Sequence, residues 1–241
     1  MQTAVITGAS RGIGAAIARE MAFEGYRLAL ICEKNMSLLD VLADELTEAY
    51  DVEVLTYSCD VSDGEQVDEV CEEIKKAFGT PDVLINNAGI AHIGLLQDMS
   101  AMEWERVIGV NLSSCFYMTH AFLPGMIRAG RGHIINISSM WGRCGASCEV
   151  AYSAAKGGVN SFTKALAKEL APSGIAVNAI ACGVIDTEMN RGLSEEDRAA
   201  LVDDIPQGRF GTPEDIAKTV LLILGSTYMT GQIIGVDGGF L

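Results

Sequence analysis

Short apolar runs alternate with stretches of helical periodicity along the whole chain. The runs that predict buried strands are Ala4–Ile6, Leu28–Ile31, Val52–Tyr57, Val83–Ile85, His133–Ile137, Ala176–Ala181 and Gln232–Val236. The stretches that predict helices are Ala15–Ala22, Ser37–Tyr50, Asp63–Phe78, Ala101–Ala129, Val150–Ala171 and Pro213–Gly225. Strands that alternate with helices form a parallel sheet covered on both faces. We therefore predict one α/β domain over residues 1–241, built on a doubly wound parallel sheet of about seven strands.

Composition agrees with this fold, and the charge removes one class of function. Hydrophobic residues make up 49% of the 241 residues and charged residues 20%, which is typical of a globular domain. The formal net charge is −15, whereas nucleic-acid binding needs clustered Lys and Arg to contact phosphates. We expect no nucleic-acid partner, and an acidic protein partner only where a local basic patch exists.

The cysteines, histidines and apolar runs indicate the environment of the protein. The seven cysteines include no Cys-x-x-Cys pair, which favours reduced thiols over a disulfide framework or a metal site. The three histidines are scattered, and so they predict no metal ligation. No apolar run reaches 18 residues, and the N-terminus has no signal-peptide pattern. We expect a soluble, cytoplasmic protein with no metal and no membrane association.

A glycine-rich turn, Thr7-Gly8-Ala9-Ser10-Arg11-Gly12-Ile13-Gly14, joins the first predicted strand to the first helix. Glycines let a backbone approach a pyrophosphate closely, and the amides at a helix start attract its charge. A plain strand-to-helix turn is the alternative. The place of the turn in the first strand-helix unit favours a cofactor site. Its expected members are Gly8, Ser10, Arg11, Gly12, Ile13 and Gly14.

Tyr152 and Lys156 are four residues apart in a predicted helix, so their side chains lie on one face. An ammonium this close favours the phenolate, and we expect it to lower the tyrosine pKa from about 10. Such a tyrosine exchanges a proton with a carbonyl or alcohol oxygen. Ser139, at the end of a predicted strand, is placed to hold the same oxygen. The pair alone is weak evidence, since surface helices often carry Tyr and Lys.

Several motifs occur together in the order and spacing of the classical short-chain dehydrogenases/reductases. They are Thr7-Gly8-x-x-x-Gly12-x-Gly14, Asn86-Asn87-Ala88-Gly89, Asn111, Ser139, Tyr152-x-x-x-Lys156, Cys182-Gly183-x-x-x-Thr187 and the terminal Gly231–Gly239. The resemblance covers the whole chain and implies a Rossmann fold, a nicotinamide cofactor and reduction of a ketone to a secondary alcohol. It implies that Tyr152 protonates the oxygen, that Ser139 positions it and that Lys156 also grips the nicotinamide ribose. Asn111 is then expected to bend its helix and to hold a water that reaches the lysine.

The same resemblance assigns the rest of the cofactor site. It implies that Asp60 meets the adenine amino group and that Val61 lies against the adenine ring. It also implies two roles for Asn87, contact with the adenine-side ribose and stabilisation of the central strand. The remaining expected contacts are Ala88, Gly89, Gly183, Ile185 and Thr187, the last two near the nicotinamide carboxamide. Cys182 stands where the family usually has proline, and without the proline ring this turn is freer.

The end of the second predicted strand gives conflicting indications about the cofactor. The family's usual acidic residue, which bonds to the ribose hydroxyls of NAD, falls at the neutral Cys32. Glu33 follows one position later and favours NAD. Arg11 resembles the basic residue of NADP-preferring members, and Lys34 adds a second cation. We favour NADP (NADPH) over NAD, with a solvated turn as the alternative role for Glu33 and Lys34.

The residues between Ser139 and Tyr152 are expected to lie over the substrate. In this loop Trp141 is a candidate apolar wall, Glu149 a contact for a cation and Arg143 a contact for an anion. A loop packed on itself or on another subunit is the alternative. The polar stretch 186–207 resembles the mobile substrate lid of the family. The two longest predicted helices resemble its dimer face, so we expect a homo-oligomer, either a dimer or a tetramer.

Within the family, the chain most resembles the 3-oxoacyl-[acyl-carrier-protein] reductases of fatty acid synthesis. This implies a small-molecule or carrier-bound ketone, and Arg128 and Arg131 offer a basic patch for an acidic carrier. The loop around Trp141 and Glu149 also resembles reductases of the 5-aminopentanone group on elongation factor P. A hydroxysteroid or sugar alcohol dehydrogenase is a third interpretation. A cofactor-sensing protein without turnover is a fourth, and the intact Ser-Tyr-Lys set argues against it.

Overall fold

Seven parallel strands form one sheet in the computed structural model, which describes all residues 1–241. The strands are β1 Thr3–Thr7, β2 Arg27–Cys32, β3 Val54–Ser58, β4 Val83–Asn86, β5 Gly132–Ser139, β6 Ile175–Cys182 and β7 Ile233–Val236. Their order across the sheet is β3-β2-β1-β4-β5-β6-β7. This is a doubly wound Rossmann sheet, so the predicted fold class is confirmed. Its winding reverses between β1 and β4, and ligands of such sheets bind at this point beside the carboxyl ends of the strands.

Helices cover both faces of the sheet. They are α1 Gly12–Phe23, α2 Met36–Tyr50, α3 Gly64–Phe78, α4 Ala101–Ile108, α5 Ser114–Ala129, α6 Trp141–Cys144, α7 Val150–Leu170, α8 Glu195–Asp204 and α9 Pro213–Leu224. Successive residues of a strand point to opposite faces, so Ile6 packs in the core under α1, α2 and α9 while Val5 packs in the core under α3, α5 and α7. None of the helices has the length and hydropathy that crossing a lipid bilayer requires.

The helix predicted over Ala101–Ala129 is interrupted. One turn of π-helix, Gly109–Ser113, separates α4 from α5. Asn111 lies in this turn and is completely buried, and its side chain bonds to the backbone of Ile90 and Val107. These side-chain bonds, of which those to Ile90 are tertiary, stabilise a wider turn that is rare in isolated helices.

The polar segment 186–207 contains a helix that its sequence pattern did not predict. Ser194 caps α8, since its hydroxyl accepts a hydrogen bond from Asp197 N at 3.0 Å. No residue of α8 is buried. The guanidinium of Arg198 connects the helix to the rest of the chain through Asp186, at 3.0 Å, and the face of Phe210, at 4.4 Å. A helix held by so few buried contacts belongs to the least stable part of a fold.

Candidate active site

A cleft of about 370 Å³ runs along the carboxyl ends of the strands. It collects most of the residues that the sequence predicted from loops far apart in the chain. The predicted residues that line it are Gly8, Ser10, Arg11, Gly12, Ile13, Cys32, Glu33, Asp60, Val61, Asn87, Ala88, Gly89, Ser139, Tyr152, Lys156, Gly183, Ile185 and Thr187. Five candidate site residues do not line it, namely Gly14, Asn111, Trp141, Arg143 and Glu149.

The turn before α1 is shaped to admit a phosphate. Gly8 and Gly12 have φ angles of 64° and 54°, in the left-handed region that favours glycine. A Cβ on Gly14 would lie 2.7 Å from Asn87 Nδ2 and closer still to Gly8 O, so the turn closes only around glycine. No side chain caps α1 and no acidic residue lies in its first turn. The first amides of the helix therefore keep their capacity to bind an anion, and the turn fits the pyrophosphate of a dinucleotide.

Asn87 fastens this turn to the end of β4. Its Nδ2 donates to Thr7 O at 2.9 Å and to Gly8 O at 3.1 Å. The hydroxyl of Thr7 accepts in return from the backbone amides of Asn87 and Ala88, both at 3.0 Å. The side-chain amide thus stabilises the central strands, which is one of the two roles expected for Asn87.

Ser139, Tyr152 and Lys156 meet at one end of the cleft, which we call the tyrosine end. Ser139 is the last residue of β5, and its Oγ accepts a hydrogen bond from Trp141 N at 3.1 Å. The other two residues lie one turn apart on α7. Lys156 is 4% exposed, and its Nζ donates to Ile137 O at 2.8 Å and lies 5.7 Å from the centre of the Tyr152 ring. These contacts hold a phenol, a hydroxyl and an amine around one small volume.

The expectation that Lys156 lowers the pKa of Tyr152 is wrong for this structure. Burial raises the pKa of Tyr152 above its ordinary value, and the Ser139 hydroxyl offsets only part of the rise. Burial also lowers the pKa of Lys156, whose ammonium is directed at a backbone carbonyl. Desolvation is the largest influence on both pKa values because both groups lie in a poorly hydrated site. The phenol therefore keeps its proton at neutral pH, which is the state that a proton donor needs.

Asn111 lies behind the cleft. Its Oδ1 accepts from Ile90 N at 3.2 Å, and its Nδ2 donates to Ile90 O and Val107 O, both at 2.9 Å. A Cβ on Gly89 would come within 2.9 Å of Asn111 Oδ1 and 3.6 Å of Lys156 Nζ, so only glycine fits between them. Both amide hydrogens of Asn111 are engaged, which leaves its side chain no donor for the water predicted to connect it with Lys156.

The loop between Ser139 and Tyr152 packs on the end of the chain. The Trp141 ring meets the Phe240 ring edge-on, with centroids 5.7 Å apart. Glu149 is half-buried, and burial raises its pKa while the Trp141 indole opposes the rise. Its charge in turn contributes to the raised pKa of Tyr152. Trp141 and Glu149 thus stand next to the tyrosine end, although neither lines the cleft.

Cys182 ends β6 at the same end of the cleft, where it is buried. Its Sγ makes only a long contact, 3.9 Å, with Ile180 O. Burial raises the pKa of the thiol to about 12, although the neighbouring Lys156 opposes the rise. Because the thiolate is the reactive form of cysteine, this side chain is inert packing at neutral pH.

The opposite end of the cleft carries Glu33 and Asp60, and we call it the acidic end. Arg106, on α4, donates to Asp60 Oδ2 at 2.5 Å and to Glu33 Oε2 at 2.9 Å. Burial alone would raise the pKa of Asp60, but hydrogen bonds from Ser62 and Arg106 lower it below its ordinary value. Sequence reasoning missed Arg106 because it belongs to no motif. The only signal was that two carboxylates, Glu33 and Asp60, were predicted in one cleft, because neighbouring carboxylates repel each other unless a cation lies between them.

Comparison with known proteins agrees with this geometry. A family model described as short chain dehydrogenase matches residues 2–198. The uncharacterized oxidoreductase YmfI of Bacillus subtilis (strain 168) is 39% identical over 241 residues, which cover 99% of this chain and 98% of that protein. The 3-oxoacyl-[acyl-carrier-protein] reductase FabG of Thermotoga maritima is 41% identical over 239 residues, covering 98% and 96%. Its counterpart in Aquifex aeolicus is 39% identical over 240 residues, covering 99% and 96%.

The chain therefore belongs to the short-chain dehydrogenase family. It is an oxidoreductase that acts on CH–OH and C=O groups with a nicotinamide cofactor.

Proposed function

We propose that this protein is an NADPH-dependent reductase of 3-oxoacyl thioesters carried on acyl carrier protein, as in fatty acid synthesis. One observation carries the proposal: a phenol, a hydroxyl and an amine converge beside a glycine cradle in a single cleft. The names of the relatives in Thermotoga maritima and Aquifex aeolicus support the substrate class.

The bound nicotinamide supplies the hydride, and the chain's own groups handle the oxygen. Ser139 Oγ–H donates to the substrate oxygen and fixes its position. Tyr152, kept protonated by burial, gives its proton to the same oxygen as negative charge develops there. Lys156 holds the ribose side of the cofactor with its ammonium, and its bond to Ile137 O keeps that ammonium in place. Asn111 bonds to the backbone of Ile90 and so holds the neighbouring Gly89 close to this group.

The rest of the predicted cofactor set completes this proposal. The turn containing Ser10, Gly12 and Ile13 holds the pyrophosphate, and Val61 and Ala88 flank the adenosine. Arg11 and Lys34 line the same cleft as Glu33, and these two cations favour the 2′-phosphate of NADP. Gly183, Ile185 and Thr187 hold the carboxamide.

Segment 186–207 closes over the substrate as a lid in this proposal. Two observations support it: Thr187 lines the cleft, and no residue of α8 is buried. We also propose a homo-oligomer, either a dimer or a tetramer, in the cytoplasm. The exposed rings of Trp104 and Phe116, on α4 and α5, are consistent with a face that another subunit covers.

The basic patch that the sequence offered to a carrier protein lies elsewhere. Arg131 immediately precedes β5, whose far end is Ser139. One strand of this length separates the patch from the tyrosine end by about 25 Å. Arg131 is also paired with Asp82 at 3.2 Å. In the same subunit, Arg128 and Arg131 therefore do not flank the entrance to the cleft.

Side-by-side kinetics test the proposal. We expect acetoacetyl-carrier protein and a short acetoacetyl thioester to be reduced with NADPH at a higher kcat/KM than with NADH. Refusal of both thioesters with both cofactors would reject the 3-oxoacyl substrate class. Turnover with a preference for NADH would reject the choice of NADP alone.

The half-buried carboxylate of Glu149 favours a second function, the reduction of a 5-aminopentanone group on elongation factor P. A carboxylate whose charge reaches Tyr152 is placed to pair with an amine on the ketone substrate. The test compares 5-aminopentan-2-one with pentan-2-one in wild type and Glu149→Gln. This function is supported if the variant loses the reduction of 5-aminopentan-2-one but still reduces pentan-2-one. It is rejected if the variant reduces the amine-bearing ketone as fast as the wild type does.

A further inference from the structure

Glu33 does not present a free carboxylate to the cleft. Its Oε1 lies 3.3 Å from Lys34 Nζ, and its Oε2 accepts from Arg106 Nη2 at 2.9 Å. The Lys34 side chain is 77% exposed, so its contact contributes little. The Arg106 side chain is only 34% exposed, and its planar fork binds carboxylates more firmly than an ammonium does. Arg106 is therefore the main partner of Glu33.

Arg106 is fixed in this position by a second set of contacts. Its Nη1 donates to Asp60 Oδ2 at 2.5 Å and to Ser62 Oγ at 2.6 Å. Asp60 also accepts from the Ser62 hydroxyl at 2.7 Å. One guanidinium thus bridges the loops that follow β2 and β3, and both of its terminal nitrogens are occupied. Because the guanidinium is already held by Asp60 and Ser62, it stays beside Glu33 and loses little additional side-chain freedom when it pairs with it.

Charge at this end matters because the chain as a whole repels anions. Its formal net charge is −15, and a 2′-phosphate brings about two further negative charges. An unpaired Glu33 would add local repulsion to this unfavourable field. Arg106 is shared between Glu33 and Asp60, so it offsets one of their two negative charges. With Lys34 and Arg11 in the lining of the cleft, one positive charge is then in excess.

We propose that Arg106 is a specificity-determining residue that lets this cleft accept the 2′-phosphate of NADP by neutralising Glu33. The inference rests on the proposed use of NADP and adds a residue that acts through another side chain. Arg106 itself does not line the cleft.

Equilibrium titration of the purified full-length protein with NADP⁺ and with NAD⁺ tests this role without turnover. The measured quantity is the ratio Kd(NAD⁺)/Kd(NADP⁺). Any loss of adenine contact through Asp60 weakens the binding of both cofactors equally and therefore does not change this ratio. We expect Arg106→Gln to lower this ratio about fivefold, the scale of one partly exposed ion pair. The control is Arg131→Gln, which also removes one positive charge. Arg131 lies at the amino end of β5, away from the cleft at the carboxyl ends of the strands, so this variant is expected to leave the ratio unchanged.

A double-variant cycle identifies the path of the effect. If Arg106 acts through Glu33, Arg106→Gln changes the ratio less than twofold in a protein that already carries Glu33→Gln. An undiminished fivefold loss in that background means that Arg106 binds the phosphate directly, which overturns the proposal. An unchanged ratio in the single variant overturns it as well.

Glu33→Asp keeps the test valid if Arg106→Gln fails to fold. The shorter side chain retains the charge but loses the 2.9 Å contact with Arg106. We expect the ratio to fall as it does in Arg106→Gln. A rise would mean that Glu33 serves to bind NAD and would refute the proposal. The ratio in the wild-type protein separately tests the preference for NADP. The proposed cofactor and the proposed role of Arg106 can therefore be rejected independently.

Discussion

At the tyrosine end of the cleft Ser139 and Lys156 are buried and bonded to backbone, whereas at the acidic end the charged groups are partly exposed and bonded to one another. Lys156 is 4% exposed and donates to a carbonyl of β5. The Glu33 side chain is 36% exposed and depends on the guanidinium at the end of a long side chain, that of Arg106 on α4. A group anchored to backbone is fixed by the fold itself, whereas an ion pair is fixed only by its partner. The first arrangement suits a proton transfer, which requires fixed distances between the reacting groups. The second suits cofactor selectivity, which a single substitution can alter.

The tyrosine end gives the largest expected effect. Tyr152→Phe removes the only phenol that lines the cleft and keeps its ring. We expect kcat for ketone reduction to fall about 10³-fold, the usual contribution of a positioned general acid, while the Kd of NADP⁺ changes less than threefold. Steady-state kinetics and cofactor titration measure the two quantities. Retention of more than a tenth of the activity would show that Tyr152 is not the acid.

The contrast between the two ends also explains what the sequence could predict. Tyr152 and Lys156 share a helix face by spacing alone, and the glycine turn is defined by residues adjacent in sequence. Arg106 meets Glu33 across 73 residues, and nothing in its neighbourhood marks it. The direction of the Tyr152 pKa was missed for a related reason: spacing gives the lysine, but the burial that outweighs it depends on the packing of the whole cleft.

The π-turn and α8 show the same limit. The resemblance implied a bend at Asn111, but the bonds that stabilise the turn come from Ile90, which is 21 residues away. In α8 the capping hydroxyl of Ser194 is local, yet the helix has no apolar face to reveal it.

Asn111→Ala sharpens the comparison at the level of stability. The substitution leaves the amide and carbonyl of Ile90 and the carbonyl of Val107 without their side-chain partner, in a site that is buried at Val107 and partly buried at Ile90. We expect the free energy of unfolding to fall by about 3 kcal/mol. Asn190→Ala is the matched control, because its amide makes a single part-buried bond, to Ile185 O, and the variant is expected to lose about 1 kcal/mol. Chemical denaturation measures both, and equal losses would contradict the assignment of Asn111 as a structural anchor.

Arg106→Gln tests the other side of the same contrast. Its ion pairs are partly exposed, so we expect a loss of less than about 1 kcal/mol at pH 7. The pKa of Asp60 is lowered in the folded state, so its contribution is present above the pKa of the unfolded chain and is lost as the pH falls through the folded value. The difference in stability between wild type and variant should therefore shrink below about pH 4. Thermal unfolding over this range measures it, and a difference independent of pH would exclude Asp60 as the partner that matters.

The smallest expected change is in the pH profile of ketone reduction. This profile shows whether burial or the ammonium of Lys156 has the larger effect on the pKa of Tyr152. Burial raises the pKa of the phenol above 10, so the acid form persists through neutral pH. No histidine lines the cleft, and Cys182 titrates only near pH 12. We expect kcat with a saturating ketone to vary less than twofold between pH 6.5 and about pH 9, because kcat reports groups of the bound complex. A decline with an apparent pKa between about 7 and 8 would mean that the ammonium of Lys156 governs the phenol after all, and the tyrosine end would then resemble the acidic end in being set by a neighbouring charge.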